Sequence, residues 1–331
     1  MRVVIVTDAW EPQVNGVITT LKNTAKVLES KGHEVHFITP QYFKTMPTPT
    51  YPEIRLSLFP YPKLKRMMQE FQPNAVHIAT EGPLGLAARR YCKKFRLRFT
   101  TAYHTQFPEY IRLRAPIPLS VSYAYMRWFH GAAYYTLVTT ESMHEYLTRW
   151  GMKNLQIWTR GVNSELFHQG EKKFLNTERP VFMYIGRVAV EKNILAFLEL
   201  DLPGSKYVVG AGPQLKGIMA KYPDVYFTGY VDNHLLSKHL AAADVFVFPS
   251  KTDTFGLVLL EANACGLPIA AYPVPGPKDV VKQGVNGYLS EDLKEACLKA
   301  LELKPDNCRK VAEEYTWERV GDQLLSYLQV N

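Results

Sequence analysis

Residues 245–265 read VFVFPSKTDTFGLVLLEANAC. Val245–Phe248 is apolar at every position, a pattern that suits a strand covered on both faces of its sheet. Pro249 stops the strand, a polar loop follows, and from Gly256 apolar residues run on into a helix, Leu257–Cys265. A fully buried strand, a loop and a helix form one βα unit, and helical returns of this kind build parallel sheets.

The unit recurs along the whole chain. Strands are expected at Arg2–Thr7, Val35–Thr39, Ala75–Ile78, Phe99–Tyr103 and Tyr134–Thr139. Between them lie a helix carrying Val17, Leu21, Ala25 and Leu28 and stopped by Gly32, then Leu64–Phe71, Leu84–Lys94 and a Tyr-rich helix around Val121–Phe129. A second series has strands Val181–Ile185, Lys206–Val209, Val225–Phe227 and Pro268–Ala271 besides Val245–Phe248. Helices near Asn193–Leu198, Leu215–Lys221, Leu235–Ala241 and Leu293–Leu301 separate them, and Trp317–Leu328 is a last, isolated helical pattern. The polar stretch from Gln169 to Arg179 divides the two series. The expectation is therefore an α/β chain of two doubly wound, Rossmann-like domains facing a cleft, residues 1–168 and 169–316.

Composition agrees. A chain of 331 residues is long enough for two cores. Hydrophobic residues at 47% and charged residues at 21% exclude a disordered or fibrous protein. Cys92, Cys265, Cys297 and Cys308 form no CxxC pair, so neither a zinc site nor a disulfide framework is expected, and a reducing compartment fits. The first apolar run, Val3–Val6, is stopped by Asp8 and is too short for a signal core, and no run reaches the ~18 apolar residues of a membrane span.

Charge is unevenly placed. Residues 1–165 hold 21 Lys and Arg against 11 Asp and Glu, whereas the remainder holds 18 against 20. An anionic partner is thus expected for the first half alone. Arg89, Arg90, Lys93, Lys94, Arg96 and Arg98 fall within ten residues, Lys63, Lys65 and Arg66 form a second cluster, and Arg112, Arg114 and Arg127 lie among Tyr110, Tyr123, Tyr125, Trp128 and Phe129. Cations interleaved with aromatics suit an anionic membrane surface; a solvated helix face over core aromatics is the plainer alternative. No nucleic-acid-binding motif is present, so nucleic acid is not an expected partner.

In open α/β sheets, ligands bind beyond the carboxyl ends of strands. The first such loop runs from Asp8 to Gly16, where Asn15-Gly16 opens a helix whose N–H groups could meet an anion; an ordinary βα turn fits as well. The second, Gly186-Arg187-Val188-Ala189-Val190-Glu191-Lys192-Asn193, places two cations near a helix start, which the helix dipole disfavours and a bound phosphate would reverse; a solvated basic loop is the alternative. In the third, Asp253 is expected in the loop and Glu261 on the following helix, an acid in an apolar run that needs a partner such as the hydroxyls of a sugar or ribose. A capping or surface role is the alternative for each acid. The fourth, Val209-Gly210-Ala211-Gly212-Pro213, has Leu215 where a dinucleotide fingerprint needs its third glycine, which argues against nicotinamide or flavin. The fifth is Tyr103-His104-Thr105 at a strand end.

These loops in this order resemble the retaining glycosyltransferases of GT-B architecture, glycosyltransferase family 4. The resemblance rests on NG at Asn15–Gly16, EGPLG at Glu81–Gly85, YHT at Tyr103–Thr105, RGV at Arg160–Val162, GRVAVEKN at Gly186–Asn193, VVGAGP at Val208–Pro213 and DTFGLVLLEANACGLP at Asp253–Pro268. Within the family the chain is similar to bacterial GDP-mannose-dependent α-mannosyltransferases and to the sulfoquinovosyl-diacylglycerol synthase group. The resemblance implies that Gly16 contacts a donor diphosphate, that Arg187 and Lys192 hold it, and that His104 lies beside the transferred sugar. It further implies that Asp253 and the backbone of Thr254, Phe255, Gly256 and Leu257 bind sugar and phosphate, that Glu261 binds ribose hydroxyls, and that Gly186, Gly210 and Gly212 line the nucleotide. The final helix is expected to cross back onto the first domain.

Two positions depart from the family pattern: Asp253 replaces the first acid of an E-x7-E pair, and Asn163 follows RGV where Asp is common. The implied activity is metal-independent transfer of a hexose with retention, with no cofactor beyond a nucleotide-diphosphate sugar, GDP-mannose favoured and a UDP-sugar possible. The implied acceptor is a lipid or lipid-linked glycan at the inner, cytoplasmic face of the cell membrane. The alternatives are a UDP-sugar-dependent glycolipid synthase, a sugar-nucleotide epimerase and a non-catalytic sugar-nucleotide binding protein.

Overall fold

The computed structural model describes residues 1–48 and 52–331. The chain forms two compact units, Met1–Arg160 with Trp317–Asn331, and Gly161–Thr316.

The first unit holds strands β1 (Arg2–Val6), β2 (Glu34–Ile38), β3 (Thr45–Pro47), β4 (Arg55–Ser57), β5 (Ala75–Ile78), β6 (Thr100–Ala102), β7 (Tyr135–Val138) and β8 (Leu155–Ile157). Strands β3 and β4 form an antiparallel hairpin, and the others make a parallel sheet in the order β2-β1-β5-β6-β7-β8. Strand β1 feeds both faces. Val4 and Val6 pack with Leu84, Ala88 and Phe129, while Val3 and Ile5 pack with Leu21, Leu28, Val320 and Leu324. Each such fully buried side chain contributes about 1.5–3 kcal/mol, so the last two residues anchor the C-terminal helix Trp317–Tyr327 on this unit. A Cβ at Gly321 would lie 2.4 Å from Val27 Cγ1, so the two helices can approach only at a glycine.

The second unit holds β9 (Val181–Ile185), β10 (Ser205–Val209), β11 (Tyr226–Gly229), β12 (Val245–Phe248), β13 (Ile269–Ala271) and β14 (Gly287–Leu289), all parallel, in the order β11-β10-β9-β12-β13-β14. Phe182 and Tyr184 pack to one side with Phe197 and Val208, and Met183 and Ile185 to the other with Leu240, Leu259 and Leu260.

In each sheet the strand order reverses once. Winding departs from β9 through β10 on one side and resumes at β12 on the other, so the loops after β9 and β12 lie at the reversal point, where open α/β sheets bind ligands. Strands β1 and β5 are the corresponding pair in the first unit.

Residues 161–168, expected in the first domain, belong to the second unit. The Val162 amide donates to Tyr315 O at 3.0 Å, and the Arg309 guanidinium donates to the carbonyls of Ser164, Phe167 and Ala264. Among the described residues no helix is long and apolar enough to cross a membrane.

Candidate functional site

In the second unit the two loops at the reversal point are stapled together. The Thr252 hydroxyl donates to Glu191 O at 3.1 Å and Asn193 Nδ2 donates to Pro249 O at 3.0 Å. Across this staple Lys192 Nζ donates to Asp253 Oδ1 at 2.5 Å, with the two side chains 21% and 15% exposed. A pair this withdrawn from water gives a stronger local field than a surface pair. The structure thus brings Lys192 and Asp253, sixty-one residues apart, into contact. Arg187 sits on the same loop, whose backbone is held by the Tyr184 hydroxyl donating to Arg187 O at 2.7 Å.

The expected helix start behind these cations is different in form. Val190–Lys192 is a single 3-10 turn, Asn193 is left-handed, and the α-helix begins only at Leu195. The local charge is therefore set by side chains and turn amides rather than by a helix dipole.

Asp253 lies in the loop and Glu261 on the helix Leu257–Ala264, as the sequence suggests. Thr254 and Phe255 are buried, and Gly256 stands at the helix N-cap with no side-chain cap, leaving the first amides of Leu257 and Val258 to the loop side. Burial alone pushes the Glu261 carboxyl up to about 7. No hydrogen bond or ion pair from a described residue meets that carboxyl, so polar hydrogens supplied from outside would favour its charged form.

Gly210 and Gly212 have a packing reason of their own. A Cβ on Gly210 would lie 2.0 Å from Gly186 O, and Val188 exchanges backbone hydrogen bonds with Ala211 and Gln214. These glycines let the loops after β9 and β10 pack backbone to backbone. Gly186 itself donates to Val209 O at 3.0 Å.

In the first unit Asn15 caps the helix Gly16–Ser30, its Oδ1 accepting from Val17 N and Ile18 N, both at 3.1 Å. Those amides, expected to be open to an anion, are thereby filled, and Gly16 is left exposed at the head of the helix. The helix Pro83–Phe95 is likewise closed. Asp8 Oδ1 accepts from Leu84 N at 2.9 Å, and Oδ2 accepts from Thr80 Oγ1 at 2.8 Å and Gly85 N at 3.3 Å. Burial raises the Asp8 carboxyl while these donors oppose the rise.

His104 follows β6 and accepts at Nδ1 from the Arg160 guanidinium at 2.9 Å. Arg160 is buried and also donates to Trp158 O and Thr159 O. Sequence reasoning quoted Arg160 only as part of a motif, and no spacing signal ties it to His104, fifty-six residues away.

Of the basic cluster, Arg90, Lys93, Lys94, Arg96, Arg98, Arg112 and Arg114 are exposed. Arg89 is not. It is buried, donates from Nε to Phe129 O and from Nη2 to Trp128 O, and lies 3.9 Å over the Trp128 ring. It caps the helix Leu119–His130 and has no part in a surface. The Asn163 departure is also accounted for: its Oδ1 accepts from Glu165 N and Leu166 N at 3.1 Å, a turn that an aspartate would make equally well. Among the described residues no group of His, Cys, Asp and Glu is arranged to hold a metal ion.

The Glycosyltransferase Family 4 model matches residues 14–166, and the model for glycosyl transferases group 1 matches residues 179–303. A GDP-mannose-dependent alpha-mannosyltransferase of Corynebacterium glutamicum is 27% identical, over 99% of this chain and 88% of that protein. A sulfoquinovosyl transferase of Arabidopsis thaliana is 29% identical, over 94% of this chain and 70% of that protein. Among solved structures, a sucrose-phosphate synthase from Thermosynechococcus elongatus superposes with a TM-score of 0.80 at 21% identity, covering 98% of this chain and 97% of that one. The HepE protein of Anabaena, in complex with UDP and glucose, superposes at 0.73 and 15% identity, with 98% of each chain covered.

Proposed function

For a chain that belongs to the GT-B glycosyltransferases of family 4, we propose a retaining α-hexosyl transfer from a nucleotide-diphosphate sugar to a lipid or lipid-linked glycan, without a metal ion. The observation that carries this reading is the Lys192–Asp253 pair at the strand-order reversal, with Glu261 on the helix behind it.

Charge dictates the chemistry. Cleaving the bond from the anomeric carbon to the diphosphate builds negative charge on the leaving group. Lys192, held by Asp253, and Arg187 on the same loop stabilise that charge more in the transition state than in the ground state. Asp253 holds Lys192 in place, and its carboxylate would accept from a hydroxyl of the transferred sugar. Ribose hydroxyls donating to Glu261 would relieve the cost of ionising it, and His104 donates to the transferred hexose.

Mannose from GDP-mannose is the favoured donor because relatives that align along most of the chain are described as GDP-mannose-dependent. The alternative of a glycolipid synthase, with a UDP-sugar as its donor, is kept open because other relatives are described as alpha-monoglucosyldiacylglycerol synthases. The exposed cations of the helix Pro83–Phe95, with exposed Trp128 and Val121 on the helix Leu119–His130, suit an anionic bilayer carrying the acceptor at the inner face of the cell membrane.

The test is turnover of GDP-mannose and UDP-glucose, each with extracted membrane lipid as acceptor. A new α-glycoside from one donor supports the proposal. Isomerised nucleotide sugar, or tight nucleotide-sugar binding with neither transfer nor slow hydrolysis, contradicts it.

A further inference from the structure

We propose that Arg160 is a positioning residue: by donating to Nδ1 it holds His104 as the neutral tautomer protonated at Nε2, a fixed hydrogen-bond donor. The inference rests on the reading of His104 as a contact of the transferred sugar.

Every guanidinium nitrogen is a donor and none accepts, so at 2.9 Å the Nδ1 of His104 must be the acceptor. A neutral imidazole that accepts at Nδ1 carries its proton at Nε2. Arg160 cannot swing away, because Nη1 is committed to Trp158 O at 2.7 Å and Thr159 O at 3.0 Å. Trp158 is in turn pinned, its Nε1 donating to Val320 O at 3.0 Å, and its ring flanks His104 at 5.7 Å. The histidine is thus held between a fixed donor and a fixed indole.

Arg160 makes no ion pair with a described carboxylate. Burying a guanidinium without a counter-charge costs stability, and a neutral side chain of similar size would fill the space without that cost. What the cation adds is a donor that cannot reverse and a positive charge that opposes protonation of the ring. The titratable groups around His104 include Arg160, His77 and His130, and beyond His130 lies Glu81, whose Oε1 is 3.1 Å from His130 Nε2. Burial, then Arg160, then His77 and His130 hold His104 well below the ordinary histidine range. Burial lowers Arg160 itself only to about 9, so it stays charged at neutral pH.

The experiment is 15N NMR of the full chain labelled at its nine histidines, with His104→Asn identifying the His104 resonances, alongside kinetics with whichever of GDP-mannose and UDP-glucose the wild type turns over. In the wild type the His104 ring should carry its proton at Nε2 and remain neutral as pH is lowered to 5.5. In Arg160→Met the ring should exchange between tautomers and titrate at higher pH than in the wild type. Its kcat should fall on the order of 10–100-fold, by analogy with loss of the partner that orients a metal-bound histidine, with donor KM changed less than about threefold. Arg160→Lys, which keeps a charged donor, should restore most of both, and serves together with Arg160→Gln should the methionine variant not fold. A proton found on Nδ1 in the wild type overturns the proposal, as do unchanged His104 shifts in Arg160→Met, or a shifted tautomer with unchanged kcat. Full turnover by His104→Asn would instead defeat the functional reading beneath the proposal, and the ring shifts, read without substrate, keep the two failures apart.

Discussion

Replacing Lys192 by alanine removes the cation that meets Asp253 at 2.5 Å. Two unit charges about 4 Å apart interact by roughly 4 kcal/mol at the effective dielectric of ~20 typical near a protein surface. If bond cleavage moves about half a charge onto the diphosphate, Lys192 favours the transition state by ~2 kcal/mol, about 30-fold in kcat. The variant also strands Asp253, a carboxylate 15% exposed, next to an anionic donor. That repulsion carries the expected loss to ~3–4 kcal/mol, within the ~2.7–4 kcal/mol seen when one preorganised oxyanion donor is deleted. Adding Asp253→Asn removes the stranded charge and should recover part of the loss, so the double variant should be more active than Lys192→Ala alone. The assay is steady-state transfer or slow hydrolysis of GDP-mannose and UDP-glucose, with thermal melting to confirm folding. A folded Lys192→Ala protein with kcat within threefold of wild type would refute the electrostatic reasoning.

Four other outcomes are expected. Because burial raises the Glu261 carboxyl to about 7, the folded state binds an extra proton between the ordinary carboxylate value and 7, and stability should fall as pH rises through that window. Donor affinity should move the opposite way, tightening by at most about tenfold per pH unit as pH rises toward 7, since ribose hydroxyls bind the carboxylate more strongly than the neutral acid; Glu261→Gln should flatten both curves in melting and titration calorimetry. Reversing Arg90, Lys93 and Lys94 to glutamate, all exposed, should leave the melting temperature nearly unchanged but abolish co-sedimentation with anionic vesicles, at ~1 kcal/mol per cation removed. Arg89→Ala should do the reverse, costing ~2–3 kcal/mol of stability by orphaning the carbonyls of Trp128 and Phe129 while sparing vesicle binding.

How far the sequence could be read depends on how local each signal is. The fully apolar strands β1, β9 and β12 announce themselves, because burial on both faces leaves no polar position to blur the pattern. Strands β8 and β14, three residues each at sheet edges, carry too few residues for any period to show. The helix Glu141–Arg149 was open to reading from its cap, since the Thr140 side chain accepts from Met143 N; Phe107–Arg114 has no such cap and only one buried residue. In the site, Asp253 and Glu261 follow from one contiguous stretch. The Lys192–Asp253 and Arg160–His104 contacts do not, because each joins loops brought together only by strand order. Arg89 shows the opposite hazard: in a run of cations, sequence cannot tell the one turned inward toward helix-end carbonyls from its solvated neighbours.

A crystal structure of the chain with bound GDP or UDP tests the central claim most directly. The account predicts Lys192 Nζ and the Arg187 guanidinium within hydrogen-bond distance of the diphosphate oxygens, with the ribose hydroxyls on Glu261. A diphosphate lodged elsewhere, such as the 430 Å³ cavity lined by Lys172, Arg179 and Asp244, with Lys192 still bound only to Asp253, would contradict it.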